Sequence, residues 1–406
     1  MTRSTAWTTP ADVVRQLTTM WERGTILAAQ LGETPLFPFT VRFKKPETQA
    51  LTDRFDDVRK WIKALEEDSK PRRGFGYDIQ WTEIHHRQLG RNRFPMGIQI
   101  PTEDDALRLI GKQRQAERFQ HVVTATMRDY PVLRAWLAKR PMTALEHADD
   151  WERILAILTW FRDHPRTGLY LRQLDIPQVD TKFIEARKGL LAELLDLILP
   201  ETSIEPRFTG ARAFEPRYGL RSKPPLVRFR VLDPRLYLQG LSDLTVPVPE
   251  FAKLSIPVKR VFMTENDING LAFPEVPDSL VIFGLGYSLD CLAEIPWLST
   301  TPLFYWGDID THGFAMLARL RRAFPHTHSF LMDRDTLLAH GELWGREEDP
   351  YQGTLDALTP SEQSLFEDLT HHRLGDRVRL EQERIAFNHV ERAVLTPAQA
   401  SRNVMA

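Results

Sequence analysis

Apolar positions set the first division of the chain. Val13, Val14, Leu17, Met20 and Trp21 recur at helical spacing behind Thr9-Pro10-Ala11-Asp12, which has the composition of a helix start: a threonine N-cap, proline in the first turn and an early acid. A shorter helix is predicted from Thr52 to Glu67. Between Lys70 and Ile100 the apolar residues alternate among glycines, so strands are expected there; helices resume at Asp104–Arg118 and continue to about Asp163. An amphipathic helix is predicted from Thr181 to Leu199, capped by Asp180 or Thr181. Val227, Phe229 and Val231 then alternate with Arg228 and Arg230 as in a strand. Helix, turn, helix and basic hairpin is the order of a winged helix.

From Ile256 the period changes. Four short apolar runs, Val258–Met263, Ser279–Phe283, Pro302–Trp306 and Thr327–Met332, alternate with helix-like segments, which predicts a parallel α/β sheet. The fold class expected is multidomain α+β and α/β. It comprises a mostly helical region at 1–165, a winged-helix DNA-binding domain at 166–250 and a parallel α/β domain at 251–406.

Strand ends in such a sheet share one edge, where ligands bind. Glu265 ends the first run, Asp308 and Asp310 the third, Asp333 and Asp335 the fourth. Between Phe251 and His340 ten acids face seven Lys/Arg, so no local basic excess neutralises them. Crowded carboxylates repel one another, and Mg²⁺ (or Mn²⁺) relieves that repulsion. Glu265, Asp308 and Asp310 are therefore candidate catalytic metal ligands, with Asp333 a weaker fourth. Asp-x-Asp before a helix is also a capping arrangement, and Asp335 fits a cap better than a ligand. His312 either orients a phosphate or packs against the turn. Gly284-Leu285-Gly286-Tyr287-Ser288 is a glycine-rich turn without a dinucleotide fingerprint, and His371-His372 has no zinc-ligand spacing.

Charge adds a second candidate. Eight Lys/Arg lie between Arg207 and Arg235, opposed only by Glu215 and Asp233. A phosphate backbone is the natural partner for such a run, and a solvated hairpin is the plain alternative. Arg217, Arg221, Lys223, Arg228 and Arg230 are the candidate DNA contacts. The whole chain, at 406 residues and a formal net charge of −2, argues for neither nucleic acid nor membrane. A single cysteine, Cys291, excludes an internal disulfide and fits a reducing cytoplasm; the N-terminus has no signal-peptide core, and no apolar run reaches membrane-span length.

The pairing of TENDING with GDIDTHGF resembles a Toprim domain, with its Glu and Asp-x-Asp at Glu265, Asp308 and Asp310. GDIDTHGF is similar to the Asp-x-Asp-Pro-His-Gly form of the topoisomerase VI A-subunit, with Thr311 in place of the proline. Taken with DTKFIE, FLMDRDTL and RLEQERI, nearly the whole chain resembles the JetD family, nuclease subunits of the Wadjet anti-plasmid systems. The resemblance implies a Mg²⁺-dependent endonuclease that cuts closed circular plasmid DNA. It also implies a homodimer working with a condensin-like SMC complex of three further subunits. It would place Lys182, Arg187 and Lys188 near DNA and leaves open whether Glu381 and Glu383 support the metal site or a dimer. The topoisomerase relatives attack with a tyrosine; here Tyr170, in GLYLRQL, reads as core and Tyr218 as a DNA contact. A transesterase, a non-catalytic DNA-binding adaptor and a small-molecule phosphatase are the competing readings.

Overall fold

The computed structural model describes residues 7–32, 35–86, 90–284 and 291–395. The chain divides into two compact units at Ser222/Lys223, so the segment expected at 166–250 is split between them. The secondary structure is mixed, helical in the first unit and sheet-centred in the second. No helix among the described residues is long and apolar enough to cross a membrane.

The first unit opens with the helix Pro10–Glu22, closed at its N-terminus by a capping box between Thr9 and Asp12. Its face of Val13 and Leu17 packs with Val58, Trp61 and Leu65 of the helix Phe55–Glu67. These cover a small antiparallel sheet of order β1 (Phe39–Thr40), β3 (Gly90–Ile100), β2 (Asp78–His86). A second core gathers Trp151, Ile154 and Phe161 of the helix Trp151–Asp163 with Leu191, Leu194, Phe214 and Tyr218. The single helix expected from Thr181 to Leu199 is two, Thr181–Glu185 and Lys188–Ile198. Asp180 caps the first through the Phe183 N–H at 2.8 Å. Arg187 leaves helical backbone between them, at φ −120° and ψ 12°, and pairs with Asp150.

The second unit is built on a six-stranded sheet. Its strands are β4 (Leu226–Val231), β5 (Asp243–Pro247), β6 (Arg260–Thr264), β7 (Ser279–Phe283), β8 (Leu303–Trp306) and β9 (Thr327–Ser329), in the order β5-β4-β7-β6-β8-β9. The four apolar runs become β6 to β9, all parallel; β7 is buried at every position, as a strand covered on both faces requires. The strand expected as a basic hairpin arm is β4. Its Val227, Phe229 and Val231 are fully buried because it lies antiparallel to both β5 and β7 inside this sheet. A two-stranded ribbon, β10 (Gly345–Arg346) with β11 (Val378–Arg379), follows. Gly284 ends β7; residues 285–288 of the glycine-rich turn lie outside the described residues.

Candidate metal centre

β6 and β8 are neighbours, with Thr264 opposite Trp306. In-register parallel strands leave the sheet side by side, so Glu265 and Gly307-Asp308 emerge at the same edge. Asp310 stands in extended backbone, and its Oδ1 accepts the Gly313 N–H at 2.7 Å, capping the helix Thr311–Ala323. Gly313 is required because a Cβ there would run into the Asp308 carbonyl. Gly270 is required likewise, facing the Phe283 ring. Thr311 does work that a proline would not. Its hydroxyl donates to Glu347 Oε1 at 2.8 Å and accepts the Tyr351 N–H at 2.6 Å.

The strand ends open on a cleft of ≈ 530 Å³ whose lining includes Glu265, Asp308, Asp310, His312, Glu347, Arg379 and Glu381. Asp308 is half-buried; its Oδ1 accepts the Gln382 N–H at 2.9 Å and its Oδ2 the Arg379 Nη2 at 2.7 Å. Arg379 Nε lies 3.1 Å from Asp310 Oδ2, and Nη2 lies 3.5 Å from Glu381. The Tyr305 hydroxyl donates to Glu265. Burial pushes Asp310 up to about 6, overcoming the Gly313 N–H, with Glu347 and Asp308 adding like charge. Glu265 keeps an exposed edge, but the packing around its carboxyl raises its pKa, with Asp308 contributing and the Tyr305 hydroxyl opposing.

The cleft thus brings together Glu265, Asp308 and Asp310 and leaves Asp333 outside. Asp333, rather than Asp335, caps the helix Arg334–Ala339 through the Thr336 N–H at 2.7 Å. His312 is at the rim, its Nε2 2.8 Å from the Asp349 carbonyl. Glu383 accepts from Asn266 Nδ2 and is exposed. His371 and His372 are exposed.

The local charge count at the strand ends needs correcting, because it missed Arg379. That side chain arrives from 71 residues beyond Asp308. Gln382 was missed as well. It is buried; its Nε2 donates to the Trp306 carbonyl at 2.6 Å, and its Oε1 accepts from Thr264 Oγ1 at 2.8 Å and Asn269 Nδ2 at 2.9 Å. One side chain therefore ties the ends of β6 and β8 together. RLEQERI, which carried no derivable chemistry in the sequence, supplies Arg379, Glu381 and Gln382.

The basic candidates fare differently. In the first unit Lys182 is exposed, but Arg187 bonds Asp150 and stacks 3.9 Å from the centre of the Phe183 ring. Lys188 is paired with Glu215 at 2.6 Å, and Arg217 grips Asp196 through two nitrogens at 3.0 and 2.8 Å. Arg221 is exposed over Tyr170. In the second unit Lys223 is exposed, Arg228 binds Asp243 through two nitrogens, and Arg230 is spent on the carbonyls of Gly270, Leu271 and Phe273. The two tyrosines exchange the places expected of them. Tyr170 is 39 % exposed, whereas Tyr218 is buried, with its hydroxyl 2.6 Å from Asp196 and its ring edge-on to Phe214. Burial and the Asp196 carboxylate hold the Tyr218 phenol far above its ordinary pKa.

Residues 10–196 match the family described as "Uncharacterized protein conserved in bacteria N-term (DUF3322)", and residues 219–394 match that described as "Wadjet protein JetD, C-terminal". No curated protein matches the chain. The second match contains every residue of the acidic cleft, and by it residues 219–394 belong to the family of the Wadjet protein JetD.

Proposed function

We propose that the protein is a divalent-metal-dependent DNA endonuclease of an anti-plasmid defence system. Its second unit would be a Toprim-type catalytic domain, and it would act as a homodimer beside a condensin-like SMC complex on closed circular DNA. The observation that carries this reading is the convergence of Glu265, Asp308 and Asp310 at the ends of two adjacent parallel strands.

The donor set suits a hard cation. All three candidates are carboxylates, the donors that Mg²⁺ and Mn²⁺ prefer. Asp310 is buried with its pKa raised, the mark of buried negative charge in want of compensation, and the packing around the carboxyl of the partly exposed Glu265 raises its pKa as well. Arg379 Nε is buried at the same spot and makes no hydrogen bond. As the side chains stand, no three His, Cys, Asp or Glu among the described residues form a ready chelate. Asp308 and Asp310 would hold the ion with Glu265. When bound, it would activate water and offset charge on the phosphate. The rest falls to the chain itself. Gln382 keeps the strand ends in register, the Gly313 N–H fixes Asp310, the Tyr305 hydroxyl orients Glu265, and Arg379 supplies a cation facing the cleft.

Tyrosine chemistry has weaker support. Tyr218 is buried and bound to Asp196, and Tyr170 is the more exposed of the two. A supercoiled-plasmid assay with Mg²⁺ or Mn²⁺, with the SMC partners present, decides the matter. Glu265→Ala and Asp308→Ala should each reduce cutting on the order of 10²-fold or more, and product ends should migrate identically before and after protease. Ends that change only after protease, and their loss in Tyr170→Phe, would replace hydrolysis with transesterification. Cutting untouched by both carboxylate substitutions would remove the catalytic assignment and leave a DNA-binding adaptor.

A further inference from the structure

Arg379 reaches into the cleft from a backbone fixed on two sides. Its strand β11 pairs with β10, and Leu380 exchanges two hydrogen bonds with Ile309, at 2.9 and 3.1 Å. Only the side chain is free to move. Its guanidinium does not grip one carboxylate through two parallel bonds, the geometry that suits arginine best. It spans two instead, with Nη2 on Asp308 Oδ2 and Nε 3.1 Å from Asp310 Oδ2, where that shielded N–H finds no hydrogen-bond alignment. Charge holds it there more than fit.

The other carboxylate oxygens are already engaged by backbone. Asp308 Oδ1 takes the Gln382 N–H, and Asp310 Oδ1 takes the Gly313 N–H. The oxygens left facing the cleft are the two Oδ2 atoms, and both face Arg379.

We propose that Arg379 is the resting counter-ion of the Asp308–Asp310 pair, and that a divalent cation competes with its guanidinium for those two oxygens. The inference rests on the metal-centre reading above. It makes Arg379 a positioning residue that sets the affinity of the centre. A site whose competent form exists only when the arginine is displaced binds its ion more weakly by the fraction displaced. Glu381, 3.5 Å from Nη2, is the nearest alternative partner for the displaced group, although it also holds Arg384 at 2.9 Å.

The test is calorimetric titration of Mn²⁺ into the full-length, ion-free protein, without DNA or turnover. Arg379→Gln should bind Mn²⁺ roughly tenfold more tightly than wild type. Arg379→Lys, which keeps the charge but cannot span both carboxylates, should fall between them. Ion-free Arg379→Gln should also melt below ion-free wild type, and saturating Mn²⁺ should narrow the gap. Equal or weaker Mn²⁺ binding by Arg379→Gln overturns the proposal; if that variant does not fold, the same result with Arg379→Lys does so. Asp308→Ala separates the two readings. If it binds Mn²⁺ as wild type does, or if wild type binds none, the metal centre itself falls and the proposal with it. If only wild type and the Arg379 variants bind, and all equally, the centre stands and the competition fails.

Discussion

The basic run from Arg207 to Arg235 and the acidic strand ends Glu265, Asp308 and Asp310 pose one problem in opposite signs: like charges that local sequence leaves uncompensated. In the structure both acquire partners, but to different degrees. Arg207 pairs with Glu205, Arg217 with Asp196, Arg228 with Asp243 and Arg235 with Asp233 and Asp278, while Arg230 caps carbonyls. Half of the run's eight cations are thereby paired with acids, and Arg212, Arg221 and Lys223 have no acid partner among the described residues. The strand ends gain one arginine against several carboxylates, and Glu265 and Asp310 remain with raised pKa values. A charge paired one to one is spent on the fold; a charge left without a full partner is a demand that a ligand can meet.

The largest effect is expected where the acidic cleft depends on a single neutral side chain. Gln382→Leu would remove three buried hydrogen bonds and strand the groups of Thr264, Asn269 and Trp306 that they satisfy. At roughly 1–3 kcal/mol for each of the three orphaned groups, a loss of about 3–9 kcal/mol is expected by denaturant unfolding. A loss below about 1 kcal/mol would mean that the strand ends hold their register without it.

Next comes a charge pair that is fully compensated. Glu362 is buried against Arg321, which it meets through two oxygens. Burial works to raise its pKa, but the bonds from Arg321, Ser329 and the Thr359 N–H outweigh it and hold the carboxyl at about 2. A depressed acid stabilises the fold above its unfolded pKa and loses that contribution as pH falls through the folded value. About 3 kcal/mol should therefore be present above roughly pH 4.5 and disappear toward pH 2. Glu362→Gln should flatten that limb of the stability curve; an unchanged acid limb would assign it to other carboxylates.

These two side chains also mark what the sequence conceals. Local signals were sound: the Thr9 capping box, the four apolar runs that became β6 to β9, and the order of Glu265 and Asp-x-Asp at neighbouring strand ends. The Asp-x-Asp motif turned out to serve both of its readings, since Asp310 caps the helix while lining the cleft. What stayed hidden is contact across distance. Gln382 meets Thr264 across 118 residues, and no periodicity announces it. The tyrosines failed for a different reason. GLYLRQL is a bridge residue followed by a 3₁₀ turn, so its alternation does not define a buried face. Tyr218 lies four residues after Phe214, the spacing that brings two rings onto one side of a helical turn, and that signal outranked its basic neighbours.

A smaller effect is expected at Thr311, where this chain departs from the proline of the topoisomerase-like motif. Thr311→Val keeps the shape and removes the hydroxyl, leaving Glu347 Oε1 short of a donor and the Tyr351 N–H short of an acceptor. A cost of about 2 kcal/mol is expected in thermal or urea unfolding. No measurable cost would show that the bonds of the Thr311 and His312 N–H groups to Glu347 suffice.

The smallest effects should separate the paired from the unpaired members of the basic run. Among the described residues no acid pairs with Arg212, Arg221 or Lys223, whereas Arg228 and Arg235 have carboxylate partners. A cation already neutralised releases little counter-ion when phosphate approaches; a free one contributes close to its full share. Each single alanine substitution at Arg212, Arg221 or Lys223 should therefore lower the salt slope of DNA binding by about 1 and weaken affinity by less than about tenfold. Arg228→Ala and Arg235→Ala should leave the slope unchanged. If all five substitutions flatten it alike, the ion pairs open on DNA and the run acts as the patch its composition suggested. If none does, the DNA path lies elsewhere on the protein, with Lys182 the next exposed lysine to replace.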